Sequence, residues 1–253
     1  MLIGYTPQHW LAPPQVQLQG GQWLTADQGA ACVDGQPARV ARYRASGAAT
    51  LILTLPAATA IGIVAVLGLR GVAPGAHITA AAGGRSASAQ VVQFADGSLG
   101  AYLRIEGASA GTTVTLTLPA GTVDVGEIAA LPVVEVEIER DWSVERIDPS
   151  DVLRTRGAGR VGLRRRAYRV IEVTLCAAHI ADVRGGGLAA GIDWEQLAEV
   201  MLGDRRVIVI PRAAPAADLQ RTALYGIARM QPIQHVSGNW YRSGLSAEEV
   251  PAA

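Results

Sequence analysis

The sequence predicts a mainly β chain: a jelly-roll β-sandwich over residues 1–132, then an α+β domain of antiparallel strands with one helix over 133–253. Three observations predict it. Short β-rich segments recur at 8–14-residue spacing through the first half, separated by turn signals. The charge content steps at Leu131-Pro132, with six acids and six Arg before it and sixteen of each after it. The last stretch then runs through one helix, a buried apolar strand and two half-exposed strands that end in Glu-Glu.

In the first half the predicted strands are 15–18, 38–44, 50–55, 61–69, 77–80, 89–94, 101–105 and 112–118. Asp-Gly at 34–35, Pro-Gly at 74–75, Gly-Gly at 83–84, Asp-Gly at 96–97 and Pro-Ala-Gly at 119–121 supply the breaks. The run 112–118, ThrThrValThrLeuThrLeu, alternates hydroxyl and apolar side chains, so one face is buried and the other is wet. No helical period appears in this half.

The second half opens on ValValGluValGluIleGluArg (133–140), a strand with Glu135, Glu137 and Glu139 on one face. A strand at 169–175 follows, and GlyGlyGly at 185–187 breaks the chain. Asp193 is placed to cap a helix over 193–202 and Gly203 to stop it. Strands at 207–212, 224–233 and 235–245 close the chain, and the Ala/Pro run 213–217 reads as a loop.

Composition narrows the function. The chain is 49% hydrophobic, yet its longest apolar run, 60–69, stops at Arg70, short of the roughly 18–20 residues a membrane helix needs. No membrane insertion is expected. MetLeuIleGlyTyrThr at the start lacks a basic region and an apolar core, so no secretory leader is expected. The formal net charge is zero, which gives no electrostatic footprint for nucleic acid. All 22 basic residues are Arg, whose planar fork suits paired carboxylates at interfaces.

Catalytic patterns are missing from the sequence. His9, His77, His179 and His235 stand at no metal-ligand spacing, and no GxSxG elbow occurs. Glu248 and Glu249 are neighbours on a strand and point to opposite faces. Asp96 and Glu106 are the few acids the first half offers a glycan-cleaving site, which needs two carboxyls roughly 5–10 Å apart. Cys32 and Cys176 belong to no CxxC and read as buried free thiols. No enzyme activity, cofactor or metal is expected.

The strongest constellation is a segregation of charge. Seven acids lie between Glu135 and Asp151 against two Arg; then Arg154, Arg156, Arg160, Arg164, Arg165, Arg166 and Arg169 follow with no acid among them. These are either two solvated faces of strands that pair within the domain, or complementary surfaces of neighbouring copies around a ring. The candidate interface residues are therefore Glu135, Glu137, Glu139, Arg154, Arg156, Arg164, Arg165, Arg166 and Arg169. Of the five Trp, Trp194 reads as core, and Trp10 and Trp23 are weak candidates for a sugar-stacking platform.

On these residues the chain resembles minor tail proteins of long-tailed bacteriophages and prophages, of the distal-tail or tail-tip type. TrpLeuThrAlaAsp (23–27), AspGlyGlnProAlaArgValAlaArgTyr (34–43) and the run 61–78 are similar to galactose-binding-like β-sandwich modules. Where such modules often carry His-Asn after the Leu-Gly turn, this chain has Leu69 and Arg70. ArgAspTrpSerVal (140–144), ArgArgArgAlaTyrArg (164–169), the 193–202 helix, ValIleValIlePro (207–211) and TyrGlyIleAlaArg (225–229) are similar to the tube-like domain. The resemblance implies a structural ring protein of three- or six-fold symmetry in the virion tail, assembled in the host cytoplasm. Its partners would be tail tube, hub and tape-measure proteins, with DNA passing through the lumen unbound. The alternative is an adhesin module that binds host glycan.

Overall fold

The computed structural model describes all residues except 95, 155–159, 164, 189–190, 204 and 253, and describes 151–154 and 160–163 by their backbone alone. The fold is mainly β, as expected.

The first part runs β1 (Leu2–Tyr5), β2 (Gln15–Gln19), β3 (Gln22–Trp23), a 3₁₀ turn at Ala30–Val33, β4 (Ala41–Ala45), β5 (Ala49–Thr59), β6 (Ile63–Leu69), β7 (His77–Ala82), β8 (Arg85–Gln90), β9 (Val92–Gln93), β10 (Leu99–Arg104), β11 (Gly111–Leu118), β12 (Gly121–Val125) and β13 (Glu127–Leu131). Sheets in the orders β2-β5-β11-β7-β8, β13-β6-β10-β9 and β12-β4-β3 share one core. Alternation builds it: Val114, Leu116 and Leu118 of β11 point in beside Leu51, Leu53 and Leu55 of β5. β6 is buried at all seven positions, which explains its unbroken apolar sequence.

The second part adds β14 (Val133–Glu135), β15 (Ser143–Ile147), β16 (Asp151–Arg154), β17 (Arg160–Leu163), β18 (Tyr168–Thr174), β19 (Ala178–His179), α1 (Ile180–Arg184), α2 (Trp194–Met201), β20 (Arg206–Ile210), α3 (Ala216–Thr222), β21 (Leu224–Met230), β22 (Gln234–Ser237), β23 (Trp240–Arg242) and β24 (Gly244–Glu249). Its main sheet is ordered β14-β1-β20-β21-β24-β18-β15. Beyond β14 the chain bonds the far end of β18, with Cys176 N donating to Glu137 O (3.0 Å) and Glu139 N to Thr174 O (2.9 Å). That contact ties the sheet into a closed, barrel-like body.

β1 lies in this second sheet, between β14 and β20, although it precedes residue 132. The sandwich is thus an insertion between two paired strands of the barrel. The charge step at Leu131-Pro132 marks the return crossing. At β20 the barrel sheet is covered on both faces. In β20, Val207 and Val209 join the core around α1 and α2, whereas Ile208 and Ile210 join the sandwich core. At Gly4 of β1 the contact is too close for a side chain: a Cβ would sit 2.8 Å from Ile63 Cγ2.

The expected helix forms at Trp194–Met201, capped by the Asp193 carboxylate on Gln196 N at 2.9 Å. The expectation of one helix falls short, since α1 and α3 also form. The stretch read as a loop at 213–217 enters α3 at Ala216, one residue after Pro215 at the cap. Asp218 in its first turn and Arg221 in its last complement the helix dipole. At seven residues, about two turns, α3 is too short for propensity to hold it, so packing decides it: Leu219 is buried in the sandwich core. No helix among the described residues is long and apolar enough to cross a membrane.

Candidate assembly interface

Glu145 (β15), Asp151 and Arg154 (β16), Arg160 (β17) and Arg169 (β18) lie along one long hairpin, whereas Glu135 is on β14 and Glu137 and Glu139 follow it. β15 pairs β18 with Glu145 opposite Val170 and Arg146 opposite Arg169. β16 and β17 continue outward as a two-stranded arm, with Asp151 opposite Leu163 and Arg154 opposite Arg160. β15 is the outermost strand of its sheet; Ser143 to Arg146 are all exposed, and Val144 is 45% exposed. Charged and apolar side chains therefore share a strand that has an open edge.

The predicted interface residues that the structure describes go to different places. Glu135 and Glu137 are exposed near the barrel mouth, and the half-buried Glu139 pairs with Arg242 of β23. Arg169 turns inward: its guanidinium meets the Glu249 carboxylate, with Nε 3.0 Å from Oε1, and donates to the Ala223 carbonyl at 3.0 Å. The two side chains are only 16% and 15% exposed, so this pair is structural. Arg166 is exposed and donates to the Ala252 carbonyl, and Arg165 N donates to Ser150 Oγ at 3.0 Å. Arg156 and Arg164 lie outside the described residues, and Arg154 sits on the arm, of which the backbone alone is described.

The sugar-platform candidates do not meet. Trp10 is buried at 7% exposure, with its indole N–H on Thr59 Oγ1 at 3.3 Å. Trp23 is half-buried, edge-on to Tyr43, and packs over Gly29, whose φ of +94° and missing Cβ let the ring approach. Among the described residues the exposed tryptophan is Trp240, at 49%, stacked edge-on with His179 on the small sheet β19-β23-β22. It stands over a cavity of about 360 Å³ walled by Glu135, Glu137, Asp182 and Trp194. Tryptophans spaced far apart in sequence gave no sign of this.

A further group escaped the sequence. Glu127 of β13 is 3% exposed at the seam between sandwich and barrel. Gly35 N donates to its Oε2 at 2.9 Å, and Tyr225 of β21 hydrogen-bonds it. Burial pushes its carboxyl up to about 8, against the pull of those hydrogen bonds and of the Arg206 charge. Arg206 itself donates from Nε to the Gly35 carbonyl at 2.9 Å. A cavity of about 330 Å³ adjoins the seam, lined in part by Trp10, Leu11 and Arg205.

The acids suggested for a glycan-cleaving site are engaged locally. Glu106 pairs with Arg104 at 3.1 Å, and Asp96 caps its own turn through Ser98 N at 3.0 Å. Cys32 is a buried free thiol and Cys176 a half-buried one. Among the described residues, no three His, Cys, Asp or Glu side chains gather as a metal-ligand set.

No protein-family model, curated protein or solved structure matches the chain.

Proposed function

We propose that this chain is a structural component of a bacteriophage tail tip or baseplate, without enzymatic activity. Copies form a ring that joins the tail tube to hub or fibre proteins. The barrel makes the ring and the sandwich stands outside it. The observation that carries this reading is the long hairpin: an exposed edge strand that runs on into an arm whose two strands, among the described residues, pair only with each other. An isolated two-stranded hairpin is marginal in water, and an open edge invites another chain. Such an arm gains stability against a neighbouring copy. The Arg run of 154–169 and the exposed Glu135 and Glu137 of the next copy supply opposite charge for register. The resemblance described above supplies the particular setting, the virion tail, with tube, hub and tape-measure proteins as partners.

Light scattering on the purified protein, with negative-stain images of the main peak, tests the assembly. A closed ring with a central hole is expected. Replacing Arg154 and Arg160 by Glu is expected to leave the monomer folded and abolish the ring. A wild-type protein that stays monomeric at millimolar concentration, or a variant that still closes rings, overturns the interface.

A further inference from the structure

A groove of about 1010 Å³ runs between the sandwich and α3. One wall is β8, the edge strand of its sheet, whose neighbour on the inner side is β7. The other wall is β10 and α3. Past Gly100, β10 loses its strand neighbour β9, and the Gln220 side chain takes over. Tyr102 N donates to Gln220 Oε1 at 2.9 Å, and Gln220 Nε2 donates to Tyr102 O at 2.6 Å. Those are the two bonds an added strand would make, so this wall already treats the space beside it as a place for extended backbone.

The opposite wall leaves such a place open. β7 and β8 are joined by the two-residue turn Gly83-Gly84, which makes Ala82 and Arg85 the first hydrogen-bonded pair. Alternation then directs the main-chain groups of Ala87 and Ala89 toward β7. The same register continues at Val91, whose N donates to Ala76 O at 2.8 Å. Ser86, Ser88 and Gln90 are left with N–H and C=O pointing away from β7. From Ser86 to Gln90 the strand carries no charge and no proline, the usual devices that blunt an edge. The groove is otherwise floored by small side chains, including Ala87, Ala89 and Ala213, which let a second backbone come close. Its rim is basic: Arg221 is exposed and has no carboxylate partner among the described residues, whereas Arg104 is matched by Glu106.

We infer that β8 is a docking edge that takes an extended, acidic segment of a partner protein as an added strand, between β8 and α3. Six residues, Arg85–Gln90, offer about 20 Å of edge. Outward main-chain groups bind the backbone of the segment, the alanine floor selects small side chains, and Arg221 selects a carboxylate. The site lies between the sandwich and α3 and shares with the hairpin only Arg169 of β18, which its test leaves unchanged, so either can fail without the other.

The probe is a fluorescein-labelled eight-residue peptide alternating Glu with Ala and Val, titrated by fluorescence anisotropy into the full chain. Saturable binding is expected. Ser88→Pro removes one outward N–H while sparing the β7 ladder, and is expected to weaken binding about five- to tenfold. Ser88→Ala, which keeps the N–H, is expected to bind as the wild type does. Methylating alternate main-chain nitrogens of the peptide should abolish binding without touching the protein, which keeps the test valid if Ser88→Pro misfolds. Replacing Glu by Lys in the peptide, or Arg221→Glu in the protein, should weaken it severalfold. The inference is overturned by no saturable binding at millimolar peptide, or by binding indifferent to N-methylation. It is equally overturned if a neutral oligosaccharide panel binds in the groove and the peptide does not. Self-association lost in Ser88→Pro, with no peptide binding, would assign the edge to a second copy instead.

Discussion

The sandwich and the barrel handle charge in opposite ways. Residues 1–132 hold six acids, yet two of them, Asp124 and Glu127, are buried. Residues 133–253 hold sixteen, and among the described residues the buried one is Asp193, spent as a helix cap. Scarce charge is placed inside, where each group needs a specific partner; abundant charge is left at the surface, where it is free to set register between molecules. The number of charges in a region therefore says little about how much stability rests on each one.

The largest expected effect breaks the barrel's exception to this rule. Arg169→Ala strands the Glu249 carboxylate, 15% exposed, beside the Ala223 carbonyl that Arg169 also served. Removing one partner of a buried pair costs about 3–5 kcal/mol, to be read from urea unfolding.

The two buried acids of the sandwich should then respond to pH with opposite sign. Glu127 has its folded pKa raised to about 8 by burial. The folded state holds the proton more tightly, so stability is greatest in mild acid and falls as pH rises from the ordinary Glu range toward 8. Glu127→Gln should melt like the wild type near pH 5 and be more stable at pH 8, by a few kcal/mol at about 1.4 per pKa unit. Asp124 behaves the other way. The Arg42 hydrogen bonds, at 2.5 and 2.8 Å, hold its carboxyl below the usual range. Its contribution is present at neutral pH and is lost in acid, as pH falls through the folded value. Arg42 is half exposed, so Asp124→Asn should cost only about 1 kcal/mol at pH 7, and progressively less as pH falls through the lowered folded value. Melting temperatures of both variants across pH decide whether the contrast holds.

Gly4→Ala tests the seam itself. A Cβ 2.8 Å from Ile63 Cγ2 overpacks the contact between the two bodies and should cost about 1–3 kcal/mol in thermal unfolding. The smallest effect belongs to the barrel surface. Arg184→Ala breaks an exposed, solvent-screened pair with Glu195 and should leave the urea unfolding curve indistinguishable from that of the wild type.

Much of this fold was legible. The alternation in 112–118, the apolar run ending at Arg70 and the Asp193 cap each dictate local structure from neighbouring residues, and each appears where expected. The exceptions are instructive. β1 is four residues, too short to show a period, and its membership in the barrel depends on partners 129 to 208 residues away, such as Val133 and Ile210. α3 hides behind Ala-Ala and a proline because its one buried apolar anchor, Leu219, cannot declare a helix alone. Of the candidate interface residues, Arg169 looked like the other six Arg of its run; only the approach of β24 from 80 residues away turned it inward onto Glu249.

By itself the sequence determined the mainly β class, the segregation of charge and the positions of most turns. These follow from side-chain alternation, glycine's backbone freedom and simple composition, all of which act between near neighbours. The tertiary structure alone decided which strands share a sheet, that the sandwich is inserted into the barrel, and which acids are buried. Those outcomes depend on pairings between residues far apart in the chain, such as 82 for Arg42 with Asp124 and 208 for Leu2 with Ile210, where no local pattern distinguishes one suitably apolar strand from another.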